Sequence, residues 1–425
     1  MREMIHILAK GFISKPAGRA TRSDLQNLLP MKSALLLTGL LLLFAVEIFR
    51  VYFIMPFPGS QQANTISLAY WISNNVVWLR ILAIALIIFP AVNIFKRGKR
   101  WAKVSLITVI VIFAAIYFMA NFRMQADKMF YEPQQKNFSG TSTNSIDPAK
   151  LVIGVTLNGE SRAYPIQLIG YHHQVRDSIG NTPVMITYCT VCRTGRAFSP
   201  EVNGKMEMFR LVGMDHFNAM FEDATTKSWW QQATGIAIAG PLKGTVLKEL
   251  PSQQATLASW IGQHPNTTVM QPDKTFLQKY DQLKTYDKGN GKSDLTKRDS
   301  ASWKFKSWVV GIANGQRSTA YDWNHLVQER VIHDSFGDTP ILVTVEPDTA
   351  TFHVFKRKVR DSVLSFTKSG TDKLIDNMKS TWTLSGRCID GAFKGEQLQS
   401  LQAYQEFWHS WKTFHPTTQI FKGGD

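Results

Sequence analysis

Two cysteines separated by two residues, Cys189 and Cys192 in the stretch TYCTVC, are the side chains whose type and spacing point most directly to chemistry. Such a pair can grip a metal ion, cycle between dithiol and disulfide, or stand as a permanent disulfide. Three histidines extend the set: His172 and His173 upstream, and His216 downstream. Soft thiolates with imidazoles suit copper or zinc, so the leading expectation is a metal site built from Cys189, Cys192, His172, His173 and His216. His172 is the first choice for a third ligand. In the enzyme alternative, Cys189 or Cys192 is the catalytic nucleophile of a thiol–disulfide oxidoreductase. The segment after Cys192, RTGRAFSP, alternates like a strand, so no helix N-terminus is expected to acidify the pair. Arg193 and Arg196 could still favour a thiolate. A third reading is a membrane-anchored interaction scaffold without chemistry.

Other chemistries find no purchase. The chain has no G-x-S-x-G elbow, no phosphate-binding glycine loop and no paired carboxylates at telling spacing. Cys388 stands alone and reads as a small buried hydrophobe. Trp229, Trp230 and Trp260 read as core.

The elements that must position the pair recur along the chain. The stretch from Val152, VIGVTLNGESRAYPIQLIGYHHQVRDSIGNTPVMITYCTVC, aligns without a gap with that from Val309, VVGIANGQRSTAYDWNHLVQERVIHDSFGDTPILVTVEPDT. Later, GIAIAGPLKG matches GRCIDGAFKG, and SWIGQHPNTT matches SWKTFHPTTQ. The expectation is one module used twice. Each copy should hold an entering strand, an NG turn, a short helix after Tyr164, and a hairpin turning at DSIGNTP. Strand VMITY, a hairpin across VNGK and a late helix near ATLASWIGQ follow. The duplication is also a comparison: Cys189 and Cys192 face Glu346 and Thr349, His172 and His173 face Glu329 and Arg330, and His216 faces Lys373. His264 and His415 occur in both copies, which marks them as structural.

These residues resemble the bacterial family called domain of unknown function 3179, whose members carry a Tyr-Cys-Pro-Leu-Cys segment after a strand. Here that segment is Tyr188-Cys189-Thr190-Val191-Cys192, preceded by His172 to Asp177 and followed by Asp223, Thr226, Ser228, Trp230 and Gln232. Gly235, Gly240, Gly244, Trp260, His264 and Pro265 continue the resemblance. Thr190 stands where the family has Pro, and His173 where it has Glu. The resemblance covers about 151–270 strongly and the second copy weakly, and implies module boundaries and a candidate site without an activity.

Ahead of the modules lie three apolar runs near the ~20 residues needed to span a bilayer: about Ser33 to Ile54, Val77 to Phe95 and Val104 to Phe122. Lys and Arg crowd the tract before the first run and the loop between the second and third, while Met55 to Trp78 has none. The amino terminus is therefore expected in the cytoplasm and the modules outside a bacterial inner membrane. Glu47 and Arg50 are expected to pair on one helix face. The lipid bilayer is one expected partner, and another envelope protein, as metal or thiol partner, is the second. A net charge of +16 lies mostly beside the apolar runs, so nucleic acid is not expected.

The expected fold is thus an α-helical membrane anchor of three spans with an α+β, mostly β, soluble region of two tandem modules. Its boundaries run as a cytoplasmic tail over 1–32, spans over 33–122 and a linker over 123–150. The first copy with the Cys/His site follows over 151–271, then a connector over 272–307 and a degenerate second copy over 308–425.

Overall fold

The computed structural model describes residues 22–315 and 317–423, with side chains from residue 31 onward, so most of the expected tail lies outside the described residues. Two compact units form, one from the helical residues up to Arg50 with Ile72–Ala120, the other from Val51–Trp71 with everything after Asn121.

The first unit holds three helices long and apolar enough to cross a membrane: α1 (Arg22–Tyr52), α2 (Ile66–Arg97) and α3 (Arg100–Phe118), the last continuing as a π turn through Arg123. Leu41, Val77, Trp78, Ile88 and Val111 are exposed on them, as expected of lipid-facing surface. Helix α2 starts well before the expected Val77. Ser73, Asn74 and Asn75 read as loop, but such residues cost a helix only about half a kcal/mol each. Fully buried Glu47 takes a bidentate partner from the next span, with Arg80 Nε and Nη2 donating at 2.6 and 2.9 Å.

The second unit is mostly β, in many small sheets. Strands Leu151–Leu157 and Glu160–Pro165 form a hairpin across Asn158 and Gly159, flanked by Gln253–Thr256 on one side and by Thr268–Met270, parallel, on the other. Helix Ile166–His172 leads into a three-stranded sheet of Gln174–Ile179, Thr182–Cys189 and Thr194–Phe198. A four-stranded sheet runs from Phe209–Asp215 to Ala237–Ala239. The same order recurs after residue 307: hairpin Trp308–Ala313 with Ser318–Asp322, helix Trp323–Glu329, sheet Val331–Phe336 to Phe352–Lys356, and a second four-stranded sheet ending at Cys388–Asp390.

Matching packing accompanies the matching order. Gly154 and Gly311 each lie under a tryptophan, and a Cβ there would come within 2.4 Å of Trp260 or Trp411. His264 and His415 stack on those indoles at 3.9 and 4.0 Å. Asp223 and Asp376 each accept the indole N–H of Trp230 or Trp382 and close the turn between, so the Asp…Ser-x-Trp part of the family pattern is a turn brace.

The halves meet reciprocally. Phe407 N donates to Cys192 O at 3.0 Å, and Thr256 N to Thr351 Oγ1 at 2.9 Å. At the centre, Gln254 Nε2 donates to Gln405 Oε1, its counterpart on extending the SW alignment, at 2.9 Å. Arg196 with Glu406, at 2.6 Å and both buried, and Arg196 stacked on Tyr404 at 3.4 Å tie the seam further.

Segments read as linkers turn out to be built in. Phe138–Gly140 is an edge strand on Thr268–Met270, and Phe276, Tyr280 and Tyr286 from the expected connector fill the first half's core. Phe276 and Tyr280 stand one helical turn apart, but their helices are too short for that period to be distinctive in sequence, so the tertiary fold reveals their place. The loop between α1 and α2 also packs on this unit: Met214 N donates to Ile54 O at 2.7 Å and Phe217 N to Gln61 Oε1 at 3.1 Å.

Candidate functional site

Cys189 ends a central strand and Cys192 follows a two-residue turn, with strand Thr194–Phe198 beginning beyond it. Both thiols are free and 0% exposed. Hairpin pairing of Cys189 with Thr194 bends the chain back, and the Cys192 thiol hydrogen-bonds to Cys189. Burial opposes charge on Cys189, but the Cys192 thiol and the backbone N–H groups of Cys192, Ala219 and Val191 outweigh it, and its pKa falls. Burial and the neighbouring Cys189 push Cys192 well up. The two acidities are thus displaced in opposite directions, Cys189 being the more acidic of the pair. The acidification owes nothing to a helix N-terminus, in line with the strand read after Cys192.

The second half completes this site. Lys306, buried, donates its ammonium to the carbonyl of Val191, between the cysteines, at 2.6 Å and to His409 Nε2 at 3.1 Å. Burial lowers its pKa to about 8 while the two sulfurs and Asp299 resist, so it is a cation at neutral pH. Burial and the Lys306 charge drive His409 down to about 3, leaving a neutral imidazole able to accept. Ser410 hydrogen-bonds toward Cys192 and lies 3.3 Å from Thr194 Oγ1. Arg193, fully buried, donates Nε to Gln405 and stacks on Trp308 at 3.8 Å, while both its terminal nitrogens lack a hydrogen-bond partner. The Lys306 ammonium thus flanks the dithiol, an electropositive neighbour of the kind that favours thiolate.

Lys306, His409 and Ser410 escaped sequence reading. Two of them carried a signal: His409 aligns with Ala258 and Lys306 with Ala149, so a search for residues peculiar to the second of the two aligned stretches would have found both.

The expected histidine ligands lie elsewhere in the hydrogen-bond network. His172 spends both nitrogens, Nδ1 on Tyr131 O at 2.5 Å and Nε2 on Tyr280 OH at 2.6 Å. His173 caps the short helix in the left-handed region (φ 62°), as Arg330 does in the second half (φ 63°), and turns Nδ1 to Tyr171 O. Burial lowers both histidines to about 4. His216 pairs with Asp215 at 2.6 Å, which raises its pKa. Among the described residues no group of three or more His, Cys, Asp or Glu side chains is placed to hold a metal ion. The expected five-residue cluster is not assembled: the buried His172 and His173 and the half-buried His216 each hydrogen-bond to other groups.

A larger cleft, about 1010 Å³, opens along the seam between Trp260, His264, His353 and Arg387. Neither Cys189 nor Cys192 lines it.

Three helices long and apolar enough to cross a membrane thus precede a mostly β region that holds a buried Cys-x-x-Cys pair. The chain belongs to the family described as "Protein of unknown function (DUF3179)", which matches residues 131–418. That match begins at Tyr131, whose carbonyl meets His172, and not at the expected module start. No curated protein and no solved structure matches the chain.

Proposed function

We propose that the soluble region carries a redox-active dithiol, with Cys189 as attacking thiolate and Cys192 as resolving thiol. The observation that carries this reading is a pair of free, fully buried thiols in contact across one Cys-x-x-Cys turn, with the Lys306 ammonium on the carbonyl between them. A thiolate beside a protonated thiol is the reduced form ready to close into a disulfide. On this reading the two halves are copies of one module related by a pseudo-twofold axis near Gln254 and Gln405, the second having lost its cysteines and become the wall of the site. The spans anchor the protein in a bacterial cytoplasmic membrane with the modules outside, the oxidising side on which such a pair turns over.

The test is a redox titration of the full chain in detergent against mixtures of reduced and oxidised dithiothreitol, counting free thiols. A reversible two-electron transition that vanishes in Cys189→Ser and Cys192→Ser is expected; thiols that stay reduced across the series sink the reading. A soft-metal function would rest on the two sulfurs alone and would appear as copper retained stoichiometrically by protein purified without oxygen or chelator.

A further inference from the structure

Access to the dithiol bears on what oxidises it. Both sulfurs are 0% exposed. Cys189 Sγ donates to Phe217 O at 3.5 Å, and the Phe217 ring meets His409 edge-on at 5.9 Å. Phe305 stacks on His409 at 4.2 Å and is itself 56% exposed. These three rings, from both halves, roof the Cys-x-x-Cys turn. Phe407 N on Cys192 O and Lys306 on Val191 O close it from the second half. A thiolate attacks a disulfide along the S–S axis through a mixed disulfide, so a protein partner would have to seat its own backbone where this roof lies. That would mean parting a seam held by the buried Arg196–Glu406 pair, which is costly to break.

We propose that the physiological oxidant of the dithiol is a small hydroperoxide, not the disulfide of another protein. The inference rests on the dithiol reading above. The chemistry balances in two steps. The Cys189 thiolate attacks one peroxide oxygen, the O–O bond breaks, and Cys189 sulfenic acid and hydroxide result. The Cys192 sulfur then displaces hydroxide from that sulfenic acid, the Cys192 proton leaving with it as water, and the intramolecular disulfide forms. A low-molecular-weight thiol, two equivalents per turnover, restores the dithiol and becomes a disulfide itself. The groups facing the pair fit this course. Lys306 is its cation, Asp299 lies behind Lys306, Arg193 lies over the Tyr286 ring, and His409, Tyr188 and Tyr286 stand neutral around the turn.

The experiment uses reduced full-length protein in detergent, mixed with either hydrogen peroxide or oxidised thioredoxin at equal concentration, with thiol loss followed in time. Peroxide is expected to oxidise the pair at least about tenfold faster, because it needs no partner backbone seated where the roof lies. Cys192→Ser should accumulate a sulfenic acid at Cys189 that dimedone traps. Phe305→Ala, at an exposed position, should speed oxidation by thioredoxin and leave the peroxide rate within about twofold. Oxidised thioredoxin reacting as fast as peroxide with the unaltered protein overturns the inference. So does a pair that equilibrates with dithiothreitol yet ignores peroxide, a result that leaves the dithiol reading standing. Failure to form a disulfide with any oxidant removes both.

Discussion

The unequal acidity of Cys189 and Cys192 arises from who donates to whom. Three backbone N–H groups and the Cys192 thiol converge on Cys189, whereas Cys192 faces its charged neighbour from a dry site. Lys306 acts on Cys192 most directly, and on Cys189 less than the backbone cradle does. Lys306→Met should therefore raise the first macroscopic pKa of the dithiol by up to about one unit, read from thiolate ultraviolet absorbance against pH. The unaltered protein should lose this support as pH passes about 8, where Lys306 itself deprotonates. An unchanged titration in the variant would show that the ammonium only buttresses the Val191 carbonyl.

At the scale of elements, short helices and turns hold neutral imidazoles in dry places. His172 and His173 sit at about 4 and His409 at about 3, all below the ordinary value near 6.5. Between those limits the unfolded chain binds more protons than the folded one, so stability falls as pH drops from about 6.5 toward 4. A thermal midpoint of the full chain that declines over this window is expected, and His172→Gln should flatten the decline; a pH-independent midpoint would refute it. Glycines under tryptophans give a second expectation. Gly154→Ala should cost about 1 to 3 kcal/mol in a denaturant titration, because the Trp260 ring occupies the place of the new methyl.

For the molecule as a whole, the seam between halves joins the buried Arg196 and Glu406 and closes over the Cys-x-x-Cys turn. Glu406→Gln leaves the Arg196 guanidinium buried beside only the more exposed Glu249, and should destabilise by roughly 3 to 5 kcal/mol. The same variant should hasten alkylation of Cys189 by a bulky maleimide, since loosening the seam lifts the roof. Within the helical unit, the buried Glu47 is paired with a partly exposed Arg80, so Glu47→Gln should lower the yield of folded protein recovered in detergent more than any exposed change on the same helix.

Local pattern carried a large part of this outcome. Apolar runs of bilayer length announced the three helices, the NG and DSIGNTP turns announced the hairpins, and the TYCTVC segment announced both the family and the sulfur pair. Each depends on near neighbours in the chain or on composition, which a sequence displays directly. Partners distant in sequence were another matter. Glu47 finds Arg80 on another helix, His172 finds Tyr131 and Tyr280, and Cys192 finds Ser410 only because a seam folds residues more than two hundred positions apart onto one turn. Histidines next to cysteines in sequence invited a metal site. Tertiary packing instead committed their nitrogens to buried carbonyl, hydroxyl and carboxylate oxygens, and set an ammonium from the second half beside the sulfurs, because every polar group taken from water must find a partner inside.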